Sequence, residues 1–182
     1  MDSIDLLLNR QSNPFLTAPA PAGEILENIL KAGMRAPDHG GLLPWQFTIA
    51  QDTGLEKLSA IFSTSMAKLT ADPAKIEKAK NMPFRAPMII IISTRYQEHD
   101  KVPKQEQLVA AGCAVHGMQM AAFAQGYGAM WRTGDFSYND EVKAALNIEM
   151  TEDIVGYLYV GSVKKALPTK PLKDYRNYTC YL

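Results

Sequence analysis

Cysteine is scarce in this chain. Only Cys113 and Cys180 occur, in different segments and without the paired spacing of a metal site or redox motif. Two isolated thiols point to a reducing, cytoplasmic setting rather than to a disulfide-built fold. Net charge is absent as well: basic and acidic residues number 19 each. No excess of Lys and Arg exists to hold a polyanion, and the aromatics do not alternate with basic residues as in a single-strand groove. Nucleic acid is therefore not an expected partner. Long apolar runs are missing too. The longest clean one, Met88 to Ile92, falls far short of the roughly 20 residues that span a bilayer. The start, MDSIDLLLNR, has neither the basic beginning nor the long apolar stretch of a signal peptide. A soluble protein with no membrane partner is expected.

Catalytic signatures are equally sparse. There is no GxSxG, HExxH or Walker loop, and Gly126-Tyr127-Gly128 lacks the third glycine of a dinucleotide fingerprint. His39, His99 and His116 are too dispersed to suggest a metal site. His116, among Ala, Val and Met, reads as a core or interface histidine.

What remains is an ordinary globular composition. The chain has 182 residues, 47% apolar and 21% charged, and shows no repeat or linker. It reads as one domain over 1–182, with residues 162–182 as a C-terminal arm. Ser3 to Asn9 is expected to be a short helix capped by Ser3, with Asp5 in its first turn. Residues 13–21 hold three prolines and read as a loop. Pro21 opens a helix with Ile25, Leu26, Ile29 and Leu30 on one face, stopped by Gly33 and Pro37. Trp45, Phe47 and Ile49 alternate with polar or small residues, as in a strand. Thr53 and Glu56 suggest a capping box for a helix bearing Leu55, Leu58, Ile61, Phe62 and Leu69. Asp72-Pro73 starts another helix. Residues 87–94 form a β-branched run suited to a strand buried on both faces. A small-residue-rich helix follows from about Gln105 to Gln125, with Gly126 at the capping position. A strand is expected over 129–132, a helix over 139–146 and a last strand over 154–160. The pattern is α/β or α+β, with helices outnumbering strands about two to one. The basic, tyrosine-bearing tail suits an arm laid over a neighbouring subunit, or else a surface tail on its own domain.

Three polar clusters could bear chemistry. Arg10-Gln11-Ser12 follows the first helix, and a guanidinium with a hydroxyl can grip a phosphate. A Pro- and Gly-rich turn, residues 34–41, holds Arg35, Asp38 and His39, with Asp38 expected to bond local backbone. Trp131-Arg132-Thr133 ends a strand, where donors commonly line a cofactor cleft.

Taken in order, these clusters resemble the nitroreductase family. The resemblance rests on NRQS at 9–12, AGMRAPDHGGLLPWQF at 32–47, FRAPMIIIIS at 84–93, AAGCAVHGMQMAAFAQGYGAMWRTG at 110–134 and IVGYLYVGS at 154–162. The length and the Ala-Pro-Asp-His turn look like the family's small, single-domain NAD(P)H nitroreductases. The resemblance implies an α+β fold, with a mixed central sheet surrounded by helices, and an intertwined homodimer with FMN in interface clefts. By analogy Arg10, Gln11 and Ser12 meet the flavin phosphate or ribityl chain. Arg35 and His39 reach FMN from the partner subunit, and Trp131, Arg132 and Thr133 line the isoalloxazine. The stretch Ala121, Ala122, Phe123, Ala124, Gln125, Gly126 is carried over to the nicotinamide dinucleotide. The implied activity is ping-pong transfer from NADH or NADPH, through FMN, to a small-molecule acceptor such as a nitroaromatic or quinone. A non-catalytic flavin carrier or sensor on the same fold is the alternative. Gln11, Gly41 and Leu43 depart from the family pattern and remove a cation and two amides, so FMN affinity is expected to be reduced. Gly40 and Gly41 allow backbone N–H groups to approach in their place.

Overall fold

The computed structural model describes residues 2–182; Met1, the first residue of the expected 1–182 domain, lies outside the described residues. Among the described residues, six α-helices accompany five strands: α1 (Ser3–Asn9), α2 (Gly23–Gly33), α3 (Thr53–Leu69), α4 (Pro73–Asn81), α5 (Lys104–Ala124) and α6 (Asp140–Ala145), with β1 (Leu16–Thr17), β2 (Trp45–Gln51), β3 (Met88–Thr94), β4 (Tyr127–Arg132) and β5 (Ile154–Val163). The two-to-one excess of helices does not hold for these elements, and the proline-rich loop over 13–21 also contains the unexpected β1.

The Met-Ile-Ile-Ile-Ile run makes β3 a central strand, buried at every position. It pairs with β2 on one side and β5 on the other. β5 also takes β4 along its second edge, and β1 joins its far end at Ser162 and Val163. Each of these pairings is antiparallel, so the mixed character expected of the sheet is not found within one chain.

Alternation along the strands divides the interior into two layers. Ile90, Ile92, Leu158 and Val160 pack towards α2 and α5. Ile89, Ile91, Tyr157 and Tyr159 pack with Leu58 and Phe62 of α3 and Val142 of α6. The expected α+β architecture, helices around a central sheet, is the one found.

Small residues set the contact between α2 and α5. A Cβ on Gly117 would lie 2.9 Å from the Ala32 carbonyl oxygen, and one on Gly33 would lie 2.9 Å from Met118 Cγ. Side chains at these two points would force the helices apart.

Several local expectations change. Asp2, not Ser3, caps α1, its Oδ1 accepting from Ile4 N at 2.8 Å and Asp5 N at 2.9 Å. α2 begins at Gly23 rather than Pro21. The Thr53–Glu56 box is absent: Thr53 is already helical, and Asp52 holds the cap position without a side-chain bond. Leu69, expected on the apolar face of α3, is exposed at its end. Asp72 does cap α4, accepting from Ala74 N at 2.9 Å. Gly126 ends α5 at φ +83°, its N–H donating to Phe123 O at 3.0 Å, as a left-handed cap requires. Among the described residues, no helix is long and apolar enough to cross a membrane.

Candidate functional site

The helix α5 organises the candidate residues, because it meets one cluster at each end. Near its C-terminal end, Gln119 Nε2 donates to Ser12 Oγ at 3.1 Å and to Ala129 O at 3.3 Å. Arg10 terminates α1, with its N–H donating to Leu6 O at 3.0 Å. Gln11 turns the other way, donating to the tail carbonyls of Leu167 at 3.3 Å and Pro168 at 3.1 Å. Its Oε1 is buried without a partner among the described residues. A cavity of about 260 Å³ opens here between Arg10, Gln11, Ser12 and the tail residues Lys170 and Lys173. Among the described residues, three cations and no carboxylate line it, a donor set suited to an anion.

The other cluster lies at the N-terminal end of α5. His39 and Glu106 line a cavity of about 540 Å³ together with Pro37, Asp38, Val109 and Cys113. His39 Nδ1 stands 2.7 Å from Glu106 Oε2. Asp38 bonds local backbone as expected, its Oδ2 accepting from Leu43 N at 2.7 Å. That bond closes a turn in which Gly40, Gly41 and Leu43 all have positive φ. Arg35 is exposed just past α2, and its guanidinium has no protein partner among the described residues.

These two clusters are not brought together within one chain. Glu106 and Gln119 are thirteen residues apart on α5, or about 20 Å at the helical rise of 1.5 Å per residue.

The third cluster is divided by strand alternation. Trp131 faces α5, its ring tip near Gly112, and Nε1 donates to Val155 O at 3.2 Å. Its indole lies against Gly156, where a Cβ would collide with it. Arg132 points to the opposite layer, with its guanidinium 5.5 Å from the centre of the Tyr159 ring. Burial pushes the Tyr159 phenol up, and the charges of Arg85 and Arg132 partly offset the rise. Arg132 Nε is buried without a partner among the described residues. Thr133 is exposed beyond the strand.

The segment Ala121–Gly126 is the strapped end of α5. Gln125 Nε2 donates to Ile25 O at 3.3 Å and accepts, through Oε1, from Asn28 at 3.3 Å. Ala122 is in the core, while Phe123 lines a separate cavity of about 310 Å³ with Gln11, Tyr127 and Leu167. This end lies with the Arg10 cluster and away from His39.

Glu106 carries no signal of its own in the sequence, and Cys113 reads there only as an isolated thiol. In a first helical turn, Glu106 reads as a charge matched to the helix dipole. Its nearness to His39 depends on how the turn of residues 39–41 docks on α5, which no local pattern reports. Lys170 and Lys173 were visible only as part of a basic tail.

The nitroreductase family model matches residues 8–162. The chain is 46% identical over 162 residues to "Putative NAD(P)H nitroreductase YdjA" of Escherichia coli, covering 89% of this chain and 88% of that protein. Among solved structures, a nitroreductase-like family protein from Bacillus cereus aligns with a TM-score of 0.87 at 20% identity, covering 100% of this chain and 96% of that one. A mutant of the FMN and NADPH-dependent nitroreductase NfnB aligns with a TM-score of 0.78 at 14% identity, covering 100% and 99%.

Proposed function

This chain belongs to the nitroreductase family, and on that premise we propose that it is an FMN-dependent oxidoreductase whose sites are completed across a homodimer. When bound, FMN supplies the two-electron chemistry, accepting hydride from NADH or NADPH and delivering electrons to a small acceptor, a nitroaromatic or quinone, in a ping-pong cycle. The chain's own residues bind, orient and shield.

Arg10 and Ser12 hold the phosphate end, where the cationic cavity offers matched charge. Arg35 and His39 reach the same flavin from the partner subunit. Trp131 supports the ring side from the α5 layer, with Thr133 at the exposed strand end. Arg132, facing the other layer, acts through its charge and its contact with Tyr159.

The observation that carries this reading is the separation along α5. Arg10–Ser12 and His39 lie at opposite ends of one helix, too far apart within a chain to grip one end of a ligand together. A second copy running the other way brings the two sets side by side. The rest of the surface agrees. Beyond its polar first turn α5 consists largely of apolar and small residues, yet Leu108 and Val109 are exposed. Ile4, Leu7 and Leu8 of α1 are exposed too, as are Leu172, Tyr175, Tyr178 and Tyr181 of the tail. An arm laid over a partner would cover these residues.

The test is a visible spectrum of the purified protein with added FMN, before and after anaerobic NADH or NADPH. The expected result is a set of flavin bands that bleach with nucleotide and return with acceptor. Bound flavin that does not bleach would replace the enzyme reading with a carrier or sensor.

A further inference from the structure

His39 is held by a group that the site described above does not require. Nδ1 of its ring is 2.7 Å from Glu106 Oε2, within the short range of charge-assisted hydrogen bonds. An ionised carboxylate has only acceptor sites, so a bond of this length places the proton on Nδ1. Nε2, on the far side of the ring, is then the nitrogen left for a ligand. Both side chains line the 540 Å³ cavity. The neighbouring carboxylate, Asp38, accepts the Leu43 N–H at 2.7 Å, and among the described residues the ring is paired with Glu106 instead.

The pair contributes little to folding. The His39 side chain is 61% exposed and that of Glu106 49%, and solvent screens such pairs to a small net energy. Its consequence lies in orientation. His39 sits on a short turn beside Gly40 and Gly41, both at positive φ, while Glu106 stands on the rigid first turn of a 21-residue helix. The helix therefore fixes the ring that the turn alone leaves free.

We propose that Glu106 is a positioning residue that acts through His39, setting the ring's tautomer and turning Nε2 towards the flavin. The proposal rests on the FMN reading above.

Two measurements on the full-length protein test it. The first is the ring-nitrogen NMR shifts of His39 without flavin, at a pH well above the histidine range. The wild type is expected to carry the proton on Nδ1, and Glu106→Ala to move it to Nε2. The second is an FMN titration of Glu106→Ala, His39→Ala and the double variant. Loss of Glu106 is expected to weaken FMN about five- to tenfold when His39 is present, and less than about twofold when it is absent. An equal loss in both backgrounds, or a wild-type ring protonated on Nε2, overturns the proposal. A wild-type protein that takes up no FMN overturns the cofactor reading, and Glu106's role towards flavin with it. The ring shifts are measured without flavin, so the two failures are distinguishable.

Discussion

Gln119 donates to Ser12 across 107 residues of sequence, a 3.1 Å bond that ties the loop after α1 to the far end of α5. The same amide donates to Ala129 O on β4. Gln119 is only 4% exposed, so its amide has no ready access to water once these partners are lost. Replacing it with Leu removes the donor to Ser12 Oγ, while the Ala129 carbonyl keeps the Asn13 N–H at 2.9 Å. We expect Gln119→Leu to lower stability by about 0.5–1.5 kcal/mol in urea unfolding, the usual net worth of a lost hydrogen bond. FMN affinity is expected to fall with it, because Ser12 loses its anchor.

Arg10 faces a cavity with two tail lysines and no acid. If that cavity receives the flavin phosphate, Arg10→Ala removes a charge-assisted contact of about 1.5–3 kcal/mol, roughly a ten- to hundredfold loss in FMN affinity. Riboflavin, which lacks the phosphate, should bind the variant and the wild type alike. Titrating both ligands checks this. Equal losses for the two would remove Arg10 from the phosphate.

Tyr96 gives a pH signature independent of the cofactor. Its hydroxyl donates to Asp153 Oδ2 at 2.6 Å, and burial together with that carboxylate pushes the phenol from the usual 10.0 up to about 12. The folded value exceeds the unfolded one. The phenol's contribution is therefore complete below about pH 10 and lost between about pH 10 and 12. Wild-type stability should fall across that window. Tyr96→Phe should be less stable below it and should fall less steeply within it, as followed by urea midpoints at stepped pH.

Much of the framework was legible because it depends on strong periodicities. The Met88–Ile92 run could only be a strand covered on both faces, and the small residues between about Gln105 and Gln125 marked a helix built for close contact. Asp72-Pro73 and Gly126 acted as their chemistry dictates. Weaker signals misled where two residues compete for one role. Asp2 displaced Ser3 as a cap because its carboxylate reaches two N–H groups. β1 was hidden among prolines because two residues of pairing leave no pattern. At the candidate site, the sequence order of the clusters was legible, but their separation along α5 was not. Alternation along β4 sends Trp131 and Arg132 to opposite layers, so these neighbours in sequence do not share a face. Glu106 could not be paired with His39, because 67 residues of chain separate them and only the packed structure joins them.

The most direct test of the composite site mixes two defective chains. Arg10→Ala and His39→Ala are co-expressed with different tags, and the mixed dimer is isolated by both tags. In a site that takes Arg10 from one subunit and His39 from the other, this dimer has one intact site and one doubly damaged site. The prediction is about one FMN per mixed dimer at wild-type affinity, while each parent dimer binds weakly at both sites. A mixed dimer no better than its parents, or no mixed dimer at all, would contradict the shared site.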